Sequence, residues 1–342
     1  MKLTERVDSL CQLGDCLEQY MKHSSSHPLF EQMLKECESY NPWFTHSNQM
    51  KMLENIRSWL SKDALSKALE GRTNKEEGKK KKVATILAGN IPAVGFHDVL
   101  CILLSGHKAF VKLSSDDKIL IPFLMENLLQ MDSRWSDRIE YIHKIFEPDA
   151  VIATGSNNSG RYFEYYFSKY PHIIRKSRNS VAVLSANESK EQLSLLAQDV
   201  FDYFGMGCRS VSKLYVPKGY DFNLFFESLM PYEKLMQHSK YMNNYDYYRA
   251  IYLLNKDAFL TNNFLIVKED ASLNSPLSVL HYEYYTNKDE LTAILAAQNN
   301  ELQCVVSEED FIEGSVRMGT TQCPSFTDYA DDINTLDFLS QL

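Results

Sequence analysis

The chain has 342 residues, 44% hydrophobic and 24% charged, which suits two domains or one large α/β unit. A formal net charge of -9 argues against a nucleic-acid footprint, since that needs a concentrated basic face. The seven cysteines (11, 16, 37, 101, 208, 304 and 323) are odd in number and form no Cys-x-x-Cys pair, which argues against a disulfide framework or a metal site.

The opening Met1 to Asp8 has no apolar signal core, and no apolar run is long enough to cross a bilayer, so a cytoplasmic protein without a membrane span is expected. Up to about Gly71 the chain reads as helices. Leu3, Val7, Leu10, Leu13, Leu17 and Met21 recur at helical spacing, the cluster Ser24 to Pro28 interrupts them, and Phe30, Met33, Leu34 and Cys37 resume the pattern. Met52, Leu53, Ile56, Trp59 and Leu60 make a further face. Trp43 and Phe44, after Asn41-Pro42, suit either a packed hinge or the lining of an apolar tunnel. The basic run Lys79 to Lys82 follows Asn74-Lys-Glu-Glu-Gly78 and reads as a solvated loop before a strand.

At Val83 the pattern changes to short apolar runs alternating with helices. Val83–Ala88, Ala109–Leu113 and Val151–Thr154 are strands, Val94–Leu104 is a helix stopped by Gly106, and Asp116 with Asp117 opens a helix through Leu129. This βαβ order predicts a doubly wound parallel sheet. Val181–Leu184 and Leu214–Val216 are further strands. Beyond them, 222–230, 241–254 and 291–297 read as helical and 264–268, 279–285 and 303–307 as extended. The tyrosines at 241, 245, 247, 248 and 252 fit a core-facing helix.

Chemistry concentrates in four places. Cys208 sits in a tight turn between a helical run and a strand, with Gly205 and Gly207 before it and Arg209 beside it. The glycines allow close backbone approach and the cation favours thiolate, so the thiol suits a nucleophile, although a lone cysteine also reads as a small buried hydrophobe. Asn90, in Gly89-Asn90-Ile91-Pro92, suits an oxyanion donor or simply a turn before proline. Lys112, Ser114 and Ser115, at a strand end, suit a phosphate or ribose, or a helix cap with a solvated lysine. Thr154-Gly155-Ser156 with Gly160 forms a small-residue turn into a helix, open to a pyrophosphate or nicotinamide. No Gly-x-Gly-x-x-Gly occurs, so an ordinary Rossmann fingerprint is excluded.

In order and spacing, Gly89-Asn-Ile-Pro92, Phe110-Val-Lys-Leu-Ser114, Ala153-Thr-Gly-Ser156 with Gly160, and Gly207-Cys208 with Ser212-Lys213-Leu214 resemble the aldehyde dehydrogenase superfamily. Within it the chain is similar to the acyl-CoA reductases of the LuxC branch, which Asn41-Pro-Trp-Phe-Thr45 and the tail from Cys323 to Phe338 also resemble. The resemblance implies an α/β fold with three parts: a helical N-terminus with a nicotinamide-binding domain over 1–204, a smaller catalytic domain over 205–315, and a tail over 316–342 returning to the cofactor domain. It implies that Cys208 accepts the acyl group, that Asn90 and the Cys208 N–H form the oxyanion hole, that Lys112 and Ser114 hold the adenosine ribose, and that Ser156 lies near the cofactor. The implied substrate is an acyl-CoA or acyl-carrier thioester, reduced to aldehyde by hydride from the nicotinamide. At least a dimer is implied, with room for an acyl-donating partner enzyme.

Two departures from the superfamily carry weight. Ile174-Arg175-Lys176-Ser177 stands where hydrolytic members carry Glu-Leu-Gly-Gly, so the base that activates water is missing. Ser115 stands where a glutamate often binds the ribose 2'-hydroxyl, so a charge that would repel a 2'-phosphate is absent and NADPH is expected to serve, with NADH also accepted. The competing readings are a cysteine acyltransferase or thioesterase without redox chemistry, in which His97, His172 or His281 would fold beside Cys208, and a non-catalytic binding subunit.

Overall fold

A computed structural model describes residues 1–72 and 80–342; the predicted loop at 74–78 and Lys79 lie outside them. The chain forms two compact units, Met1–Ser177 with Pro324–Leu342, and Arg178–Cys323.

The first unit opens with four helices, α1 (Leu3–Lys22), α2 (Pro28–Tyr40), α3 (His46–Trp59) and α4 (Lys62–Ala68). Leu10, Leu13 and Leu17 of α1 are fully buried. Pro28 takes the first turn of α2, where no N–H is needed, and the hydroxyls of Thr45 and Ser61 cap α3 and α4. A five-stranded parallel sheet follows, β1 (Lys82–Ile86), β2 (Lys108–Lys112), β3 (Ile139–Tyr141), β4 (Ala150–Thr154) and β5 (His172–Arg175), in the order β3-β2-β1-β4-β5. The crossover helices are α5 (Phe96–Leu104), α6 (Leu120–Met131) and α7 (Asn157–Phe167). The strand order reverses between β1 and β4, which is where open α/β sheets bind ligands at the carboxyl ends of their strands.

The second unit holds β6 (Asn179–Val183), α8 (Lys190–Phe201), β7 (Val211–Pro217), α9 (Asn223–Ser228), α10 (Ser239–Asn255), β8 (Leu260–Thr261), β9 (Ile266–Glu269), β10 (Val279–Tyr285), α11 (Lys288–Ala297) and β11 (Leu302–Val306). Its sheet runs β11-β6-β7-β10-β9-β8 and is parallel except at the short β8 edge. Val181, Val183, Tyr215, Leu291 and Leu302 form one of its apolar clusters. In α10, Tyr241, Tyr245 and Tyr252 are buried, whereas Tyr247 is 61% exposed.

The boundary between units differs from the predicted 204/205. It falls at 177/178 because β6 pairs with β7 and β11 in the second sheet and not with the first. The returning tail starts at Pro324 rather than 316. Within the first unit it is tied by Trp59 Nε1 donating to the Pro324 carbonyl at 2.7 Å, and it ends in α12 (Thr335–Ser340).

The helix predicted from Asp116 and Asp117 begins later, at Leu120. Asp117 is held instead by a bridge to Ser114 and by the Ala93 N–H, which donates to its Oδ2 at 2.7 Å. Of the alternatives left open at Trp43-Phe44, the packed hinge describes Phe44: it is 1% exposed and its carbonyl accepts from Gln49.

Candidate active site

Three of the four predicted positions lie together at the carboxyl ends of β2, β1 and β4, adjacent strands in the first sheet. After β1, Gly89 packs so closely on the next loop that a Cβ would come within 2.4 Å of Ser114 Oγ. Asn90 is exposed beyond it, and Ala93 is left-handed at φ 47°. After β2, Lys112 and Ser114 are half-buried and Ser115 is exposed, while Ser114 Oγ accepts the Asp116 N–H at 3.2 Å. Asn41 of the early motif and its neighbour Tyr40 brace this loop: Tyr40 Oη donates to the Ser115 carbonyl at 2.7 Å and Asn41 Nδ2 to the Asp116 carbonyl at 3.2 Å. Burial pushes the Asp117 carboxyl up to about 6, against the opposing effect of the Ala93 and Leu120 N–H groups.

After β4, Ser156 caps α7, its Oγ accepting the Ser159 N–H at 3.2 Å. Thr154 and Gly155 are half-buried and Gly160 is buried. The glycines here have packing reasons. A Cβ on Gly155 would meet Ser159 Cβ and Phe163 at 3.0 Å, and one on Gly160 would meet Lys176 Cγ at 2.8 Å.

The fourth position lies in the second unit. After α8 the chain enters the left-handed region three times in succession, at Tyr203 (φ 52°), Phe204 (φ 58°) and Gly205 (φ 77°). The two aromatic residues each cost of order 1 kcal/mol in this conformation, so the surroundings must hold them there. Cys208 follows and is exposed, which removes the buried-hydrophobe reading of this thiol. The other candidates differ: Cys101 and Cys304 are buried and their thiols are pushed up by desolvation.

Arg209, expected beside the Cys208 sulfur, donates from Nη1 to Cys304 Sγ at 3.3 Å and so is anchored on β11. The Cys208 carbonyl accepts from Ser180 Oγ at 2.9 Å, and the Gly207 N–H donates to Ser210 Oγ at 3.2 Å. Ser180 and Cys304 reach the turn from far away in sequence, and no motif spacing announces them. Lys213 is fully buried and paired with Glu283 at 2.6 Å, and His281 is buried with Nδ1 at 3.0 Å from the Ser272 carbonyl.

In the stretch Ile174-Arg175-Lys176-Ser177, Ile174 is half-buried and Arg175 is buried in the first unit. Its Nη1 contacts both Asp98 oxygens at 2.7 and 2.8 Å, and its Nη2 donates to Thr335 Oγ1 of the tail at 2.8 Å. This guanidinium is structural.

The architecture is that of the aldehyde dehydrogenases. The P. syringae indole-3-acetaldehyde dehydrogenase AldA, solved in complex with NAD+ and IAA, matches at 10% identity and TM-score 0.66 over 92% of this chain and 74% of its own. The NAD-dependent aldehyde dehydrogenase of Sinorhizobium meliloti matches at 14% and 0.63 over 92% and 72%, and KauB of Pseudomonas aeruginosa at 11% and 0.64 over 90% and 72%. No curated protein matches by sequence. The model of the acyl-CoA reductase family LuxC matches residues 15–229, and the chain belongs to that family. It is therefore an enzyme acting on aldehydes or acyl groups, with an acyl thioester as the implied substrate class.

Proposed function

We propose that the protein reduces a fatty acyl thioester to the aldehyde through a thioacyl group on Cys208. The observation that carries this is Cys208 itself, an exposed thiol on a strained, hydrogen-bonded turn in a chain of this family. The thiolate attacks the thioester carbonyl, and the C–S bond to CoA or the carrier breaks, leaving the acyl group on Sγ and the departing thiol protonated. Asn90 Nδ2 and the Cys208 N–H take the role of oxyanion donors.

The loops after β1, β2 and β4 suit a nicotinamide dinucleotide by their donor set: Lys112 with the hydroxyls of Ser114 and Ser115 for the ribose end, and the capped α7 N-terminus at Thr154-Gly155-Ser156 for the phosphates. The tight contacts at Gly155 and Gly160 add nothing to that fit. When bound, the reduced nicotinamide supplies the hydride that releases the acyl group as aldehyde. Lys112 offers a cation and Ser115 no opposing carboxylate, which favours NADPH and leaves NADH acceptable.

Cys208→Ala tests the reading. It should abolish reduction and leave nicotinamide binding intact. Mass spectrometry of the wild type mixed with long-chain acyl-CoA, without nicotinamide, should show one acyl group on Cys208; a label on Cys101 or Cys304 would refute the assignment.

A further inference from the structure

The Cys208 turn is held by side chains that the proposed chemistry does not use. Ser210, 3% exposed, accepts two hydrogen bonds at Oγ, from the Gly207 N–H and from Gln322 Nε2, both at 3.2 Å. Gln322 is 5% exposed, and the segment that carries it is clamped to α8 by Asp199, which is fully buried. Asp199 Oδ2 accepts the Gly319 N–H at 2.6 Å, and its Oδ1 accepts the Thr321 N–H at 3.0 Å and the Thr321 hydroxyl at 2.7 Å. Fully buried Ser180 donates to the Cys208 carbonyl at 2.9 Å and accepts the Cys304 N–H at 3.1 Å.

Buried polar groups this well matched fix a backbone, because breaking one bond leaves its partner desolvated and unpaired. Holding is needed here, since Tyr203 and Phe204 just upstream occupy a conformation that neither prefers.

We infer that Gln322 and Ser210 are positioning residues for the Cys208 nucleophile, setting the backbone at Gly207 and with it the direction in which the Cys208 side chain leaves the turn. The inference rests on the reading of Cys208 as the acyl acceptor. It gives the segment just before the tail a task in the reaction: the Asp199 clamp fixes Gly319 to Thr321, Gln322 reaches Ser210, and Ser210 fixes Gly207. Ser180 holds the Cys208 carbonyl of the same turn.

The test uses Gln322→Met, which keeps the length of the side chain and removes its donor, and Ser210→Ala, with Ser210→Thr as the variant that restores the hydroxyl. Two rates are read at Cys208 by mass spectrometry: alkylation by iodoacetamide across pH, and single-turnover acylation by acyl-CoA. Gln322→Met and Ser210→Ala should each slow acylation by roughly 10- to 100-fold, the range expected when a reacting group is displaced by about 1 Å. The KM for NADPH should stay unchanged, and Ser210→Thr should return acylation to within about threefold of the wild type.

Acylation within about threefold of the wild type in Gln322→Met would overturn the inference, because a side chain that only stabilises the fold changes the melting temperature and leaves the thiol alone. If Ser210→Ala melts too low to assay, Gln322→Met decides alone. If the wild-type Cys208 accepts no acyl group, the reading of the reaction fails instead, and the iodoacetamide rates still decide whether Gln322 positions the thiol.

Discussion

Asp117 sits where the loops after β1 and β2 meet: its Oδ2 accepts the N–H of left-handed Ala93, three residues past Asn90, and its own backbone follows the Lys112 loop. Burial raises its pKa from the ordinary 3.8 to about 6, so across that window the folded chain keeps a proton that the unfolded chain has released. The stability carried by the protonated form is full below the unfolded value and is lost as pH rises through about 6, leaving at neutral pH a penalty of at most about 3 kcal/mol. Asp117→Asn keeps an oxygen for the Ala93 N–H and removes the charge. Its melting temperature should exceed that of the wild type near pH 8 and converge with it near pH 4. A difference of the same size at both would mean that the carboxylate is not desolvated in the fold. Nothing in the pair Asp116-Asp117 announced this role, because a carboxylate at a helix start and one buried under a loop are written with the same letters.

At the scale of elements, the end of β4 and the start of α7 offer the sharpest contrast between structure and function. Ser156 is an N-cap, and aspartate caps as well as serine, so Ser156→Asp should leave the melting temperature within a few degrees of the wild type. If the α7 N-terminus faces the phosphates of the dinucleotide, the added carboxylate should raise the KM for NADPH at least about tenfold through like-charge repulsion. An unchanged KM would leave Ser156 as a cap and nothing more. The strands β1 and β4 were legible because their centres are runs buried on both faces, and β2 because Ala109-Phe-Val111 is a short apolar run, although its burial alternates. β3 and β5 were not: Ile139-Glu140-Tyr141 lies at an edge with two exposed residues, and β5 ends in an arginine that only a buried partner, Asp98, makes tolerable. Cys208, Asn90 and the three loops could be named from local sequence. Ser180 and Gln322 could not, since only the pairing of β6, β7 and β11 and the return of the chain past α8 bring them to the turn, whereas Ser210 lies in the turn itself and only its buried bond to Gln322 marks it.

At the scale of the whole molecule, the proposed reaction assigns the nicotinamide to the unit with the β1/β4 strand reversal and the acyl group to the unit that carries Cys208, and the fate of that acyl group depends on what each supplies. A thioacyl group on Cys208 can be discharged by hydride, by a thiol or by water, and water needs a positioned base, worth typically 10²- to 10⁴-fold. The stretch that would hold that base ends β5 with Arg175, whose guanidinium is spent on Asp98 and on Thr335 of the returning tail. Ile174, half-buried one residue before Arg175, stands where the glutamate would and carries no carboxylate, and the cation beside it is already paired with Asp98. In the reverse direction, aldehyde with NADP+ should therefore turn over well only when CoA is present, yielding acyl-CoA. The rate of free fatty acid release without CoA, followed by chromatography beside the NADPH absorbance, should be lower by at least about 10²-fold. Release of free acid at a rate comparable with the CoA-dependent reaction would mean that a residue elsewhere activates water and that the missing glutamate has been replaced.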